Sequence, residues 1–130
     1  MRDILFKAKR IDNGEWVQGN LFIEGNRVEI TRGTCNGIGI EGIAVDPNTI
    51  CQFTGLTDKN GNKIWENDIV EVYIRGYHTI CTVSWAEAVA HFQLWQINTI
   101  PNTPTALNLG NYDCEVLGNI FDNADLLKGE

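Results

Sequence analysis

Val70-Glu71-Val72-Tyr73-Ile74-Arg75-Gly76 is the stretch on which the fold turns. Val70, Val72 and Ile74 alternate with Glu71, Tyr73 and Arg75, so an extended backbone sends three aliphatic side chains to one face and the others to the opposite face. Gly76 ends the run. Downstream, Ile80 to Trp85 and Phe92 to Ile97 are two further β-rich runs able to pair across Ala86 to Ala90, a linker that would also tolerate a helical turn. Upstream, Lys59-Asn60-Gly61-Asn62 reads as a tight turn.

The same punctuation marks the start of the chain. Ile4, Phe6 and Ala8 alternate with Leu5, Lys7 and Lys9, and Asn13-Gly14 supplies the positive φ that a hairpin needs. A returning strand begins near Trp16, Glu24-Gly25-Asn26 turns the chain again, and Val28 with Ile30 continues a meander. Residues 98 to 111, with Pro101, Pro104 and several Asn and Thr, read as an exposed loop. Asp122 can cap a short final helix that packs Leu126 and Leu127 inward. The expectation is one mainly β domain over 1–130, of antiparallel strands in a barrel- or sandwich-like arrangement, with a short C-terminal helix. Its parts are a β-meander at 1–32, strands at 50–85, and a final strand and helix at 112–128.

A chain of 130 residues can bury a modest core without disulfides or metal. Its composition, 43% hydrophobic and 21% charged, is that of a globular protein. The net charge of -7 argues against sequence-independent nucleic-acid binding, which depends on Lys and Arg neutralising phosphates. The charge is uneven. Arg2, Lys7, Lys9, Arg10, Arg27 and Arg32 give residues 1–32 a small positive excess, so any basic patch is N-terminal. Cys35, Cys51, Cys81 and Cys114 have no C-x-x-C spacing and read as buried thiols. MRDILFKAKR lacks the apolar core of a signal peptide, and no apolar run approaches a membrane span, so a reduced bacterial cytoplasm is expected.

Motifs of chemical interest are weak. Gly37-Ile38-Gly39-Ile40-Glu41-Gly42 matches G-x-G-x-x-G, but the next residues reach Pro47 without a helix to receive a pyrophosphate, so a loop or Gly-containing strand is expected. Asp58 to Asn62 resembles the start of a calcium loop, yet Lys63 and Ile69 occupy the positions that need Gly and a bidentate Glu. His78, Cys81, His91 and Asp68 could meet around a metal, and Glu66 with Asp68 could form an acid/base pair. Neither set has an indicative spacing. No catalytic, cofactor or metal site is therefore assigned. Among Trp16, Trp65, Trp85 and Trp95, Trp65 is the candidate for exposure, because it lies in a polar segment between a turn and two acids.

Gln52 to Val70, read QFTGLTDKNGNKIWENDIV, closely resembles the central signature of the YopX-like family. Arg2 to Arg10 with Trp16 and Gly19 is similar to that family's N-terminal strand pair, and Glu115 to Asn123 with Leu126-Leu127 to its ending. Asn67 stands where the family usually has Gly, which suggests a left-handed turn that Asn can sustain. Pro is commoner than Ala124 near the last helix. Residues 33–50 and 86–111 match poorly. The resemblance implies a phage or prophage origin and a mainly β fold, and it implies no reaction or ligand. The expected role is a non-catalytic binding module for a host or phage protein, with homo-oligomerisation possible. Its candidate surface comprises Asp58, Asn60, Trp65, Glu66 and Asp68. A small barrel binding nucleic acid through the six N-terminal basic residues is the alternative, and a small hydrolase using Glu66, Asp68 and a histidine the weaker one.

Overall fold

The computed structural model describes residues 4–32, 41–97 and 105–128. Among them the chain forms β1 (Phe6–Lys9), β2 (Trp16–Glu24), β3 (Arg27–Arg32), β4 (Glu41–Ala44), β5 (Cys51–Thr57), β6 (Lys63–Trp65), β7 (Asp68–Ile74), β8 (Tyr77–Ala86), β9 (His91–Gln96), β10 (Ala106–Asn108) and β11 (Cys114–Asn119). The fold is mainly β, with two antiparallel sheets, and neither sheet closes into a barrel. The chain divides into two compact units, Met1–Phe53 and Thr54–Glu130.

In the first unit the strand order is β4-β3-β2-β1, and the start of β5 adds to β1, with Cys51 opposite Lys7. The expected three-strand meander is present. Gly14 takes φ 75°, and its N–H donates to the Arg10 carbonyl at 3.0 Å, closing the first hairpin. The second closes in two residues, with Gly25 at φ 59° in the first central position, as a type II′ turn requires. Ala8, Val17, Ile30, Ile43 and Val45 form the core, flanked by Phe6, Leu21, Val28 and Ile50. A short 3-10 turn at Pro47–Thr49 is capped by Asp46, whose carboxylate accepts from the Asn48 N–H at 3.0 Å. Thr49 Oγ1 in turn accepts the Lys9 N–H at 2.8 Å, fixing this turn to β1.

In the second unit β6 follows β5, and a five-stranded sheet runs β10-β9-β8-β7-β11. Strand β7 lies inside it, paired on one side with β8 and on the other with β11. Val70, Val72 and Ile74 face a core shared with Ile64, Cys81, Val83, Leu94, Leu107, Leu109 and Cys114, as the alternation predicts. Each such aliphatic burial contributes roughly 1.5–3 kcal/mol. Arg75 and Gly76 both have positive φ, 52° and 88°, the pattern of a type I′ turn joining β7 to β8. The Ala86–Ala90 linker is a turn rather than a helix, and Ala90 there takes φ 55°.

Two details differ from expectation. Residues 98–104 lie outside the described residues, but the rest of the predicted 98–111 loop holds β10 and a 3-10 turn at Leu109–Asn111. Leu107 and Leu109 anchor it in the core, a contribution hidden by the polar residues around them. The C-terminal helix is only a 3-10 turn, Ala124–Lys128. Cys51, Cys81 and Cys114 are free and buried as expected, whereas Cys35 lies outside the described residues.

Candidate functional site

Between β5 and β7 the chain makes two polar turns, and the five residues of the expected contact surface lie in them or at the strand ends that flank them. Asp58 organises the first turn. One carboxylate oxygen accepts the N–H groups of Asn60 at 2.9 Å and Asn62 at 2.8 Å. The other accepts the Val116 N–H at 2.9 Å and the Asn62 side-chain amide at 3.4 Å. The Lys59 N–H donates to the Cys114 carbonyl at 3.1 Å, so the turn is held to β11 at two points. Burial pushes the Asp58 pKa up, but the donors from Val116, Asn62 and Asn60 outweigh it and hold the pKa below 3.8.

Asp68 organises the second turn, its carboxylate accepting the Trp65 N–H at 2.8 Å. Asn67 takes φ 73°, the left-handed conformation its resemblance position suggests. Its N–H donates to the Val83 carbonyl at 2.7 Å, and its carbonyl accepts the Ile120 N–H at 3.0 Å. Asn67 thus joins β8 to the segment after β11. That segment has its own lock, since Asn119 Oδ1 accepts from Phe121 and Asp122, and Asn123 Oδ1 accepts from Asn119.

Burial moves Asp58, Asp68 and Trp65 out of the expected contact surface, since they are only 6%, 2% and 5% exposed. Asn60 is exposed and Glu66 half-buried. The polar neighbours of Trp65 suggested exposure, but they serve the backbone of the turns and leave the indole inside. The exposed tryptophans are Trp85 and Trp95.

The weaker constellations do not assemble. Among the described residues no group of three or more His, Cys, Asp or Glu side chains could hold a metal. By strand alternation Asp68 shares the face of Val70 and Val72, whereas His78 and His91 lie on the opposite face, opposite Tyr73 and Ala86. Of the glycine motif, residues 37–40 lie outside the described residues, and Gly42 sits in β4. Among the N-terminal basic residues, Lys7 and Lys9 lie over the Trp16 ring, at 4.6 and 5.5 Å from its centroid. Arg27 lies 5.2 Å from the Phe22 centroid and pairs with Glu29 at 2.9 Å, and Arg10 pairs with Asp12 at 2.8 Å. Arg2 lies outside the described residues. A groove of about 260 Å³ is lined by Phe22, Arg27, Glu29, Thr31 and Gly42.

The five-stranded sheet also presents a second face, which sequence reasoning left aside. Tyr73 stands opposite His78, the two rings edge-to-face at 4.8 Å. Glu71 stands between Glu115 on β11 and Ile80 on β8, and Thr82 stands between Ile69 and Trp95. Tyr73 is 61% and Trp95 48% exposed, although the reverse side of the same strands is core. The signal was available: Trp95 sits between Leu94 and Gln96, opposite in parity to the buried leucine.

Fold and turns together define a mainly β protein whose polar signature residues hold distant strands together. A family model described as YopX protein matches residues 5–128. The chain belongs to the YopX family. Its fold is similar to that in the crystal structure of protein EF1440 from Enterococcus faecalis, with a TM-score of 0.56 and 22% identity. That likeness covers 98% of this chain and 99% of the other, and it concerns the fold alone. A search of curated proteins found no match. No described helix is long and apolar enough to cross a membrane.

Proposed function

We propose that this is a phage- or prophage-encoded, non-catalytic binding module of the host cytoplasm. It contacts a host or phage protein through the second face of the five-stranded sheet. The observation that supports this reading is the exposure of Trp95 and Tyr73 on a face whose reverse side is core. Large aromatic side chains bury much area at small entropic cost, and they are enriched where interfaces concentrate their energy. Asn60 remains an exposed part of the signature turns and contributes at the margin.

The test is a pull-down of tagged protein from phage-infected or prophage-induced cells, in nuclease-treated lysates, with wild type beside Trp95→Ala. A single host or phage protein retained after nuclease and lost with Trp95→Ala is expected. Retention by Trp95→Ala excludes this face.

Nucleic-acid binding is a second reading, favoured by Lys7 and Lys9 around Trp16 on the first unit's sheet. A gel shift at low salt with single- and double-stranded DNA and RNA tests it, and it fails if no complex forms.

A further inference from the structure

Two glutamates are paired across neighbouring strands on the sheet surface proposed for partner binding. Glu115 on β11 is directly opposite Glu71 on β7, and the same row continues to Ile80 on β8. Like charges in that arrangement repel at close range, because directly paired side chains have Cβ atoms about 5 Å apart. Neighbouring cations answer them only loosely. Lys59 Nζ lies 3.8 Å from Glu115, and His78 Nδ1 lies 3.8 Å from Glu71, an ion pair only when the imidazole is protonated. Tyr73 stands in the next row on one side, and Trp95 in the next row on the other. The unit that bears this face, residues 54–130, has four basic and ten acidic residues, a formal charge of -6.

We propose that the partner docked on this face is a basic polypeptide segment, with Arg or Lys side chains directed at Glu71 and Glu115 and their aliphatic stems or guanidinium planes laid on Tyr73 and Trp95. The inference rests on the binding-module reading and names the partner's chemistry. A guanidinium satisfies both halves of the surface, since it pairs with carboxylates through its N–H groups and stacks on aromatic faces. Polyphosphate backbones would be repelled by the same carboxylates. A two-fold dimer whose axis passes through this pair would set the acidic residues of one copy against those of the other.

The test uses the full chain and three fluorescent peptides of about eight residues, long enough in extended form to cross the sheet. They alternate Leu with Arg, Leu with Ser, and Leu with Glu. Anisotropy titrations run in parallel for wild type, Glu71→Lys, Glu71→Gln and Trp95→Ala, each first shown to be folded by circular dichroism. The expected result is that the Arg peptide binds at least about tenfold tighter than the others, and that Glu71→Lys removes this preference. Glu71→Gln reduces it partly, and Trp95→Ala weakens all residual binding. Equal affinity for the Arg and Ser peptides, with loss on Trp95→Ala, overturns the basic partner while leaving the binding face in place. No binding by any peptide, or Arg-peptide binding unchanged by Glu71→Lys, overturns the proposal outright. Sedimentation of the same samples identifies a second copy as the occupant if a concentration-dependent dimer forms and Glu71→Lys abolishes it, which also overturns it.

Discussion

The carboxylate of Asp58 accepts the backbone N–H of Val116 at 2.9 Å, a bond that spans 58 residues of sequence. Asp58 belongs to the central family-like signature and Val116 to the C-terminal one, so this contact links the two. The Asn67 carbonyl and the Ile120 N–H link them again at 3.0 Å. The polar residues of the signatures therefore satisfy buried backbone donors and acceptors, a task that fixes residue identity without any ligand.

Asp58→Ala should lower stability by roughly 1–3 kcal/mol, because it leaves the N–H groups of Asn60, Asn62 and Val116 without their acceptor. Urea unfolding at neutral pH measures this. The Asp58 pKa is lower folded than unfolded, so its contribution is present above the unfolded value and is lost as pH falls through the folded one. Wild type should thus lose stability below about pH 4 more steeply than Asp58→Asn. Parallel acid limbs would refute the assignment.

Much of this was legible in the chain. Alternation at Val70, Val72 and Ile74, and glycines at Gly14 and Gly25, mark strands and turns because their causes are local. Strand β10 was not legible, since its three residues are held by pairing with β9 and by Leu107 in the core. Trp65 misled for a related reason. Its polar neighbours are consumed by long-range backbone contacts, which local polarity does not reveal. The pairing of Glu71 with Glu115 likewise depends on the register of β7 against β11, two strands far apart in the chain.

Trp65→Ala and Trp95→Ala should separate scaffold from surface. The buried indole costs roughly 3–5 kcal/mol on truncation, whereas the exposed one should cost under about 1 kcal/mol. Chemical denaturation of the two variants gives the comparison. Equal losses would place Trp95 in the scaffold.

Gly118 lies at the irregularity where β11 shifts register against β7. A methyl group there would collide with the Asn123 side chain, whose Oδ1 accepts the Asn119 N–H at 3.1 Å. Gly118→Ala should therefore destabilise by about 1–3 kcal/mol. Adding Asn123→Ala to it should cost less than the sum of the two single changes, because the collision and the lost bond involve one side chain. Additivity in the double-mutant cycle would show that the two positions do not communicate.

Burial pushes the Cys81 thiol up to about 12 and the Cys114 thiol up to about 11, and Cys51 is buried as well. In a Cys35→Ser background, a maleimide at neutral pH should label none of the three until denaturant is added. Fast labelling of the native protein at Cys81 or Cys114, located by mass spectrometry, would contradict their packing.

Glu71→Lys offers a stability readout independent of any partner. It replaces a directly opposed pair of carboxylates by an opposite-charge pair, Lys against Glu115, a change worth about 0.2–1 kcal/mol across antiparallel strands. The loose contact of Glu71 with His78 is given up, but a half-exposed pair at 3.8 Å contributes little. The unfolding midpoint should therefore rise, and the gain should shrink as salt screens both terms. A protein that becomes more stable while losing its preference for a basic segment would show that Glu71 works against the fold and in favour of binding. A lower midpoint would mean that the two glutamates are already accommodated within the sheet, and that their repulsion offers no ground for expecting a cation between them.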